Sequence, residues 1–231
     1  MKAAAHLRVD QFWDGIFGSG PDDGTSVHVV PHGPRLAGYP GIYAVLRGDA
    51  VHVSAPPDWV KSVHAWRVTT GDVMDPRWWA AHLPGWTVLG PSVHSFSDRR
   101  ARLVDTARRA SLAEVRRALA PRVSTDEWEE SGFGGDNVEH AWLLRDDDRR
   151  PVAASNLTLF DGVAADVGIL VSAGARGRGH GVAIASAAVS YAVDQHGIAR
   201  WRALEANVPS RAIAARLGFE DDCRQLAMRP A

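Results

Sequence analysis

Six consecutive residues, Arg176-Gly177-Arg178-Gly179-His180-Gly181, alternate three glycines with two arginines and a histidine. This composition suits one kind of chemistry, the holding of an anion. A glycine-rich turn at the start of a helix presents main-chain N–H groups that have no intrahelical acceptor, at the positive end of the helix dipole. A phosphate or pyrophosphate fits there. Glycines at 177, 179 and 181 let the main chain approach the anion with no Cβ in between, and the arginines add positive charge. A tight strand-to-helix turn with solvated arginines has the same composition, so the flanking elements decide.

Those elements stand in the required order. Residues 163–171 read as a strand. Val182, Ala185, Val189, Ala192 and Val193 then mark one face of a helix over 181–195, with Gly197 just past its end. Two other phosphate loops are excluded by spacing. A Walker loop ends in Gly-Lys-Ser/Thr, and the only lysines are Lys2 and Lys61. A dinucleotide fingerprint needs glycines at its first, third and sixth positions and an acidic residue ending the next parallel strand. Here the glycines alternate, and Asp194 falls inside the helix.

Arg176, Gly179 and Gly181 match the Arg/Gln-x-x-Gly-x-Gly pattern of the GCN5-related N-acetyltransferase (GNAT) superfamily. Further on, a strand at 201–205 is followed by Asn207-Val208-Pro209-Ser210 and Leu217-Gly218-Phe219, which resemble the family's second motif, Asn-x-x-Ser and a helix closing on Leu-Gly-Phe. Residues 127–132 and the hairpin 151–171 resemble the front half of the same domain. The resemblance spans roughly residues 110–231 and rests on two motifs in the right order.

The resemblance implies an α/β (α+β) fold with a mixed, mostly antiparallel sheet, splayed central strands and flanking helices. It implies acetyl-CoA as co-substrate and acetyl transfer to a primary amine by direct attack in a ternary complex. The main chain of Gly177, Arg178, Gly179, His180 and Gly181 would hold the pyrophosphate, with Arg176 and Arg178 adding charge. Ile169, Leu170 and Val171 would meet the pantetheine arm as another strand, and the Leu170 N–H would stabilise the oxyanion. Asn207 resembles the residue that hydrogen-bonds that arm, and Ser210 would cap the next helix. Asp166 sits where many members place an acidic residue and is the first candidate for general base, equally readable as an exposed strand carboxylate. Glu130 ranks second, on the acceptor side. Glu127, Glu129 and Glu205 are further candidates, although Ser124 and Glu127 read as a capping box that occupies Glu127. Members commonly carry a tyrosine seven residues after the motif asparagine, as proton donor to the thiolate. Ala214 stands there, so solvent or a group from the N-terminal half would supply that proton. Cys223 reads as a buried thiol and His180 as loop filler.

Composition narrows the class. The chain has 231 residues, 45% hydrophobic and 23% charged, with a formal charge of −1. That balance argues against nucleic acid as a partner. One cysteine excludes an intrachain disulfide and a cysteine-rich zinc site, and no metal is implied. No apolar run suits a signal peptide or a membrane span, so the sequence reads as cytoplasmic.

Three regions follow: an N-terminal α/β accessory half over 1–97, an arginine-rich helical connector over 98–122, and the acetyl-CoA-binding domain over 123–231. In the first, a helix is expected over 3–16, then a loop rich in Gly, Pro and Asp. Next come a hairpin of 42–46 and 51–53, helices starting at Pro56-Pro57 and Asp75-Pro76, and a strand over 86–95. This half faintly resembles half an acetyltransferase unit, with no cofactor motif. It carries six of the nine tryptophans, which read as core and interface packing. It would wall one side of the acceptor site or form a homodimer contact. In the connector, Leu103, Val104, Ala107, Leu112, Val115 and Leu119 would face a core and the arginines solvent. In the last region, strands are expected at 141–144, 152–160 and 223–228, a hairpin turn at Asp161-Gly162, and a helix over 210–217. The acceptor is expected to be a small-molecule amine. A protein N-terminus or lysine, and a non-catalytic acyl-CoA-binding regulatory module, are the alternatives.

Overall fold

The computed structural model describes residues 1–18, 27–102, 107–160 and 163–231. In chain order these form α1 (Ala3–Phe17), β1 (Val27–Pro31), β2 (Ile42–Arg47), β3 (Ala50–Ala55), α2 (Pro57–Ala65), α3 (Pro76–His82), β4 (Trp86–Ser97), β5 (Ala107–Ala110), α4 (Leu112–Leu119) and α5 (Thr125–Glu130). There follow β6 (Val138–Arg145), β7 (Pro151–Phe160), β8 (Val163–Val171), α6 (His180–His196), β9 (Ala199–Leu204), α7 (Val208–Arg216) and β10 (Glu220–Pro230). Among the described residues no helix is long and apolar enough to cross a membrane, and no group of three or more His, Cys, Asp or Glu side chains could hold a metal. The chain divides into two compact units, one of residues 1–5, 96–202 and 209–220, the other of residues 6–95, 203–208 and 221–231. Residues 221–230 of the last strand, expected in a domain over 123–231, thus fall in the same unit as residues 6–95.

In that second unit, β3 is parallel to β1 and antiparallel to β2, and β10 is antiparallel to β2. The β2–β3 hairpin closes at Gly48, whose φ of +58° favours glycine. Prolines open α2 and α3, where a missing N–H does no harm, and the Asp75 carboxylate accepts the Arg77 N–H at 2.8 Å. The tryptophans pack as expected of a core. Trp59, Trp66, Trp78 and Trp86 lie against a buried cluster of Trp79, Val63, Leu83, Leu226 and others. Trp59 meets Trp86 edge-on at 5.0 Å and Trp78 meets Trp79 at 4.9 Å, while His82 stacks on Trp78 at 4.0 Å.

The first unit is a sheet with a helix layer on each face. Strands β5, β6, β7 and β8 pair antiparallel in sequence, and β9 joins β8 in parallel. Side chains alternate across the strands. Ala141, Leu143, Ala154 and Leu170 therefore share the face packed by Val115, Leu119, Trp128 and Phe133 of α4, α5 and the turn after it. The opposite face carries α6, whose Ile184 carbonyl accepts from Ser155 Oγ at 2.9 Å. Alanines 185, 187, 188 and 192 are buried along α6 and let it lie close to the sheet.

The connector differs from its expectation. Residues 107–110 are strand β5, and among the described residues of the connector only 112–119 form an α-helix, capped by Ser111 accepting from the Glu114 N–H at 3.2 Å. Leu103 and Val104 lie outside the described residues, as does the Asp161-Gly162 turn. The arginines are not one solvated face either. The Arg109 guanidinium sits over the Tyr191 ring at 4.3 Å and over Trp142 at 5.1 Å, while Arg108 pairs with Glu114. Stacking on two rings holds a short polar strand at the sheet edge that neither periodicity nor β-propensity announces.

One close approach fixes α5 over the sheet. Asn156 on β7 is buried and donates from Nδ2 to the Ser131 carbonyl at 2.9 Å, and it stands opposite Gly168 on β8. A Cβ at 168 would collide with that carbonyl and with Asn156 Oδ1. Among the described residues Oδ1 has no hydrogen-bond partner, and the hydrogen replacing the Cβ of Gly168 points at it. Gly168→Ala should push the end of α5 off β8 and lower stability by roughly 1–3 kcal/mol, read as a shift in the chemical denaturation midpoint.

Three histidines share a perturbation. Burial is the main cause that pushes His32, His52 and His140 below the ordinary value of 6.5, helped by His28 and Arg47 at His52 and by Arg109 at His140. The folded protein therefore binds fewer protons than the unfolded chain, and stability rises with pH through this range. Their contribution is complete above 6.5 and is lost as pH falls below it. Calorimetric melts between pH 8 and 5.5 should show Tm falling with pH, with a shallower slope in His52→Phe.

Candidate functional site

The loop from β8 to α6 has the geometry of an anion cradle. Gly177 and Gly179 have φ of +74° and +81°, and a Cβ at either would meet nothing within 4 Å. These two glycines serve the backbone path, since other residues are strained there. Gly181 is needed for another reason: a Cβ would lie 2.6 Å from Ile213 Cδ1, so it lets α7 pack on the first turn of α6. Gly179 is the N-cap of α6, and no side chain caps the helix. The first N–H groups of a seventeen-residue helix are thus left to water or a ligand.

The two loop arginines differ. Arg176 donates from Nε to the Val171 carbonyl at 3.2 Å and from Nη2 to Glu127 at 2.5 Å, tying the loop to β8 and α5. Arg178 is exposed, and neither its side chain nor that of His180 has a hydrogen-bond or ion-pair partner among the described residues. Arg178 is therefore the loop cation available to an anion.

The strand before the loop uses one edge only. The Ser172 N–H donates to the Val152 carbonyl at 2.9 Å, which makes that pair a hydrogen-bonded one. Hydrogen-bonded and non-bonded pairs alternate along an antiparallel ladder. Leu170, opposite Ala154, then points its N–H and C=O at β7, and so does Gly168 opposite Asn156. Ile169 and Val171 point theirs the other way. The expectation for Leu170 as oxyanion donor is corrected accordingly: its N–H is used in the ladder and its side chain is in the core. The donors on the far edge are those of Ile169 and Val171. On that edge the register with β9 is a single pair, Asp166 opposite Arg200. The strands are splayed beyond it, as expected of the central pair. A bulge accompanies the separation, because β8 advances two residues, from Ala164 to Asp166, where β7 advances one, from Leu159 to Thr158.

The carboxylates have distinct surroundings. Both Asp166 oxygens accept from the Arg200 guanidinium, Nε and Nη2 each taking one. Arg200 is buried, with its side chain 6% exposed against 18% for Asp166. This is a sheet ion pair, not the exposed strand carboxylate of the alternative reading. Glu127 closes the capping box with Ser124 and also holds Arg176; the Ser124 N–H and then Arg176 keep its carboxyl below the usual range. Glu130 is exposed at the end of α5, adjacent to the Ser131 carbonyl that packs on Gly168. Glu205 pairs with Arg224 at 2.8 Å.

Around the second motif, α7 starts at Val208, so Ser210 lies inside the helix and is not its cap. Its Oγ accepts from Trp201 Nε1 at 3.0 Å. Asn207 is half-buried immediately before the helix, and its N–H donates to the Leu204 carbonyl at 2.9 Å. Ala214 and Cys223 are both buried. Sequence reasoning passed over Arg200, Asn156 and Gly168. An arginine within a strand and a glycine immediately before the segment expected to meet the coenzyme were the available signals.

The sequence profile of the Acetyltransferase (GNAT) domain matches residues 81–220. No curated protein is significantly similar in sequence. Among solved structures, a GNAT-family acetyltransferase from Colwellia psychrerythraea is similar over 100% of this chain and 98% of its own, at 14% identity and a TM-score of 0.51. A GCN5-related N-acetyltransferase from Kribbella flavida matches over 100% and 97%, at 19% identity and a TM-score of 0.49. At these identities the first likeness speaks to the fold alone, and the fold agrees with the profile. The cradle at the start of α6, the splayed edge of β8 and the matched profile lead to one conclusion: the chain belongs to the GNAT acetyltransferase family and is an acyltransferase.

Proposed function

We propose that this acetyltransferase takes its acetyl group from acetyl-CoA and passes it to the primary amine of a small molecule, by direct attack in a ternary complex. The observation that carries the reading is the open edge of β8 running directly into an uncapped helix start. The residues suit the coenzyme. Its pantetheine amides can pair with the main chain of Ile169 and Val171 as a further strand, and its pyrophosphate can lie on the N–H groups from Gly177 to Gly181, beside Arg178. Asn207 is assigned to the pantetheine arm by its place in the second motif.

With the thioester along that edge, the Ile169 N–H faces the developing oxyanion and stabilises it. Attack by the neutral amine needs a proton acceptor. Glu130, exposed at the end of α5 and on the acceptor side by the family resemblance, is the carboxylate we assign. The amine nitrogen bonds to the carbonyl carbon, the ammonium proton passes to Glu130, and the carbon–sulfur bond breaks. With a buried alanine at 214, water protonates the departing thiolate. Positioning and main-chain dipoles supply most of the rate.

Thiol release from acetyl-CoA should appear with one class of small amines in a panel that also contains peptides with free N-termini and lysines. Release confined to the peptides would replace the small-molecule reading. Saturating coenzyme should raise the melting temperature, since a ligand at 100 times its Kd adds about 2.7 kcal/mol; no shift would remove acetyl-CoA as the donor. Arg178→Ala should weaken coenzyme binding by roughly three- to tenfold, more at low salt, on the scale of one charge-assisted contact. Glu130→Gln should lower kcat by about 10²-fold with coenzyme affinity kept, the range of general-base catalysis.

A further inference from the structure

Asp166 and Arg200 meet at the one register position that joins β8 to β9. The same two residues are joined again by their side chains, carboxylate to guanidinium, in a two-pronged pair. The bulge in β8 lies at the neighbouring residue. Three residues beyond Asp166, Ile169 begins the segment whose main chain faces the gap. Main-chain pairing, ion pair and bulge thus coincide at the point from which the strands diverge.

We propose that the Asp166–Arg200 pair is the clasp of the splayed strands, a positioning pair that sets where the gap starts and so aims the Ile169 and Val171 main chain at the coenzyme. The inference rests on the acetyl-CoA reading above and deepens it. Arg200 is almost wholly buried, and a buried guanidinium stripped of its counter-charge is strongly unfavourable. A general base must take up a proton in every turnover, which would break one prong of the pair. Both carboxylate oxygens already accept from a fixed planar fork, the geometry that makes arginine and carboxylate a rigid joint. Lysine, a single flexible point charge, would keep the charge and lose the joint.

Coenzyme A binding by calorimetry on the full chain tests it, with Asp166→Asn, Arg200→Gln, the double variant, and Arg200→Lys. Each single variant should weaken binding by about tenfold, the double variant no more than either single, because one joint is lost in all three. Arg200→Lys should keep the fold and still bind more weakly, which separates aim from mere stability. Amide exchange at Ile169 and Val171 in the ligand-free protein should quicken in every variant that folds. Coenzyme affinity unchanged in Asp166→Asn and Arg200→Lys would overturn the clasp. So would additive losses in the double variant, or loss of the acid limb of the kcat–pH profile in Asp166→Asn with affinity intact. Absence of coenzyme binding by the unaltered protein would instead overturn the acetyl-CoA reading, and amide exchange would still decide the clasp.

Discussion

Every buried main-chain N–H and C=O in a folded protein has to find a partner, and β8 meets that demand on one side only. Its β7 edge is zipped from Val163 to Val171. Its other edge meets β9 at a single position. Polar main-chain groups left along a half-buried strand amount to a template for an extended ligand, in the way that any sheet edge recruits another strand. The half-burial of Ile169 and Val171 gives that template apolar flanks. Parity then decides which amides are used in the ladder and which face the open edge, residue by residue.

The surrounding elements can be understood as supports for this strand. Gly168 admits the Ser131 carbonyl, so the end of α5 rests on β8 itself, and Asn156 holds that carbonyl in place. Arg176 ties the C-terminal end of β8 to Glu127 of the same helix. Glu127 is in turn fixed by its capping box. The glycine loop and the helix that carries Glu130 are thereby coupled through one arginine. Arg176 acts as a strut, and the charge presented outward is that of Arg178.

The central elements of this domain were legible from local pattern. Strand β8, helix α6 and its glycine stop, and the capping box at Ser124 each carry a local signal: alternation, helical periodicity, a left-handed glycine, a serine and glutamate three apart. The failures were of other kinds. Residues 107–110 read as helix because Ala107 and the leucines after it fit a helical stripe, while the stacking of Arg109 on Tyr191 is a contact over 82 residues of sequence. Leu170 looked like a donor from its place in the motif. Which way its N–H points depends on the register with β7, and register is set by pairing, not by residue type. Asp166 looked like a base because its type and place were right, and Arg200, 34 residues on and beyond α6, was invisible as a partner. Ser210 was one turn late as a cap because Val208 and Pro209 can open a helix.

The clustering of tryptophans in the second unit has a spectroscopic consequence. Trp13, Trp59, Trp66, Trp78, Trp79 and Trp86 all belong to that unit, and Trp128, Trp142 and Trp201 to the other. Indoles within 5–6.5 Å of one another, as in the run from Trp86 through Trp59 and Trp66 to Trp78 and Trp79, exchange excitation faster than they emit. Intrinsic fluorescence is thus weighted towards the unit that carries neither the glycine loop nor β8. Six of the nine tryptophans thus report on one unit and three on the other, so the optical signal is a built-in label chiefly of the first.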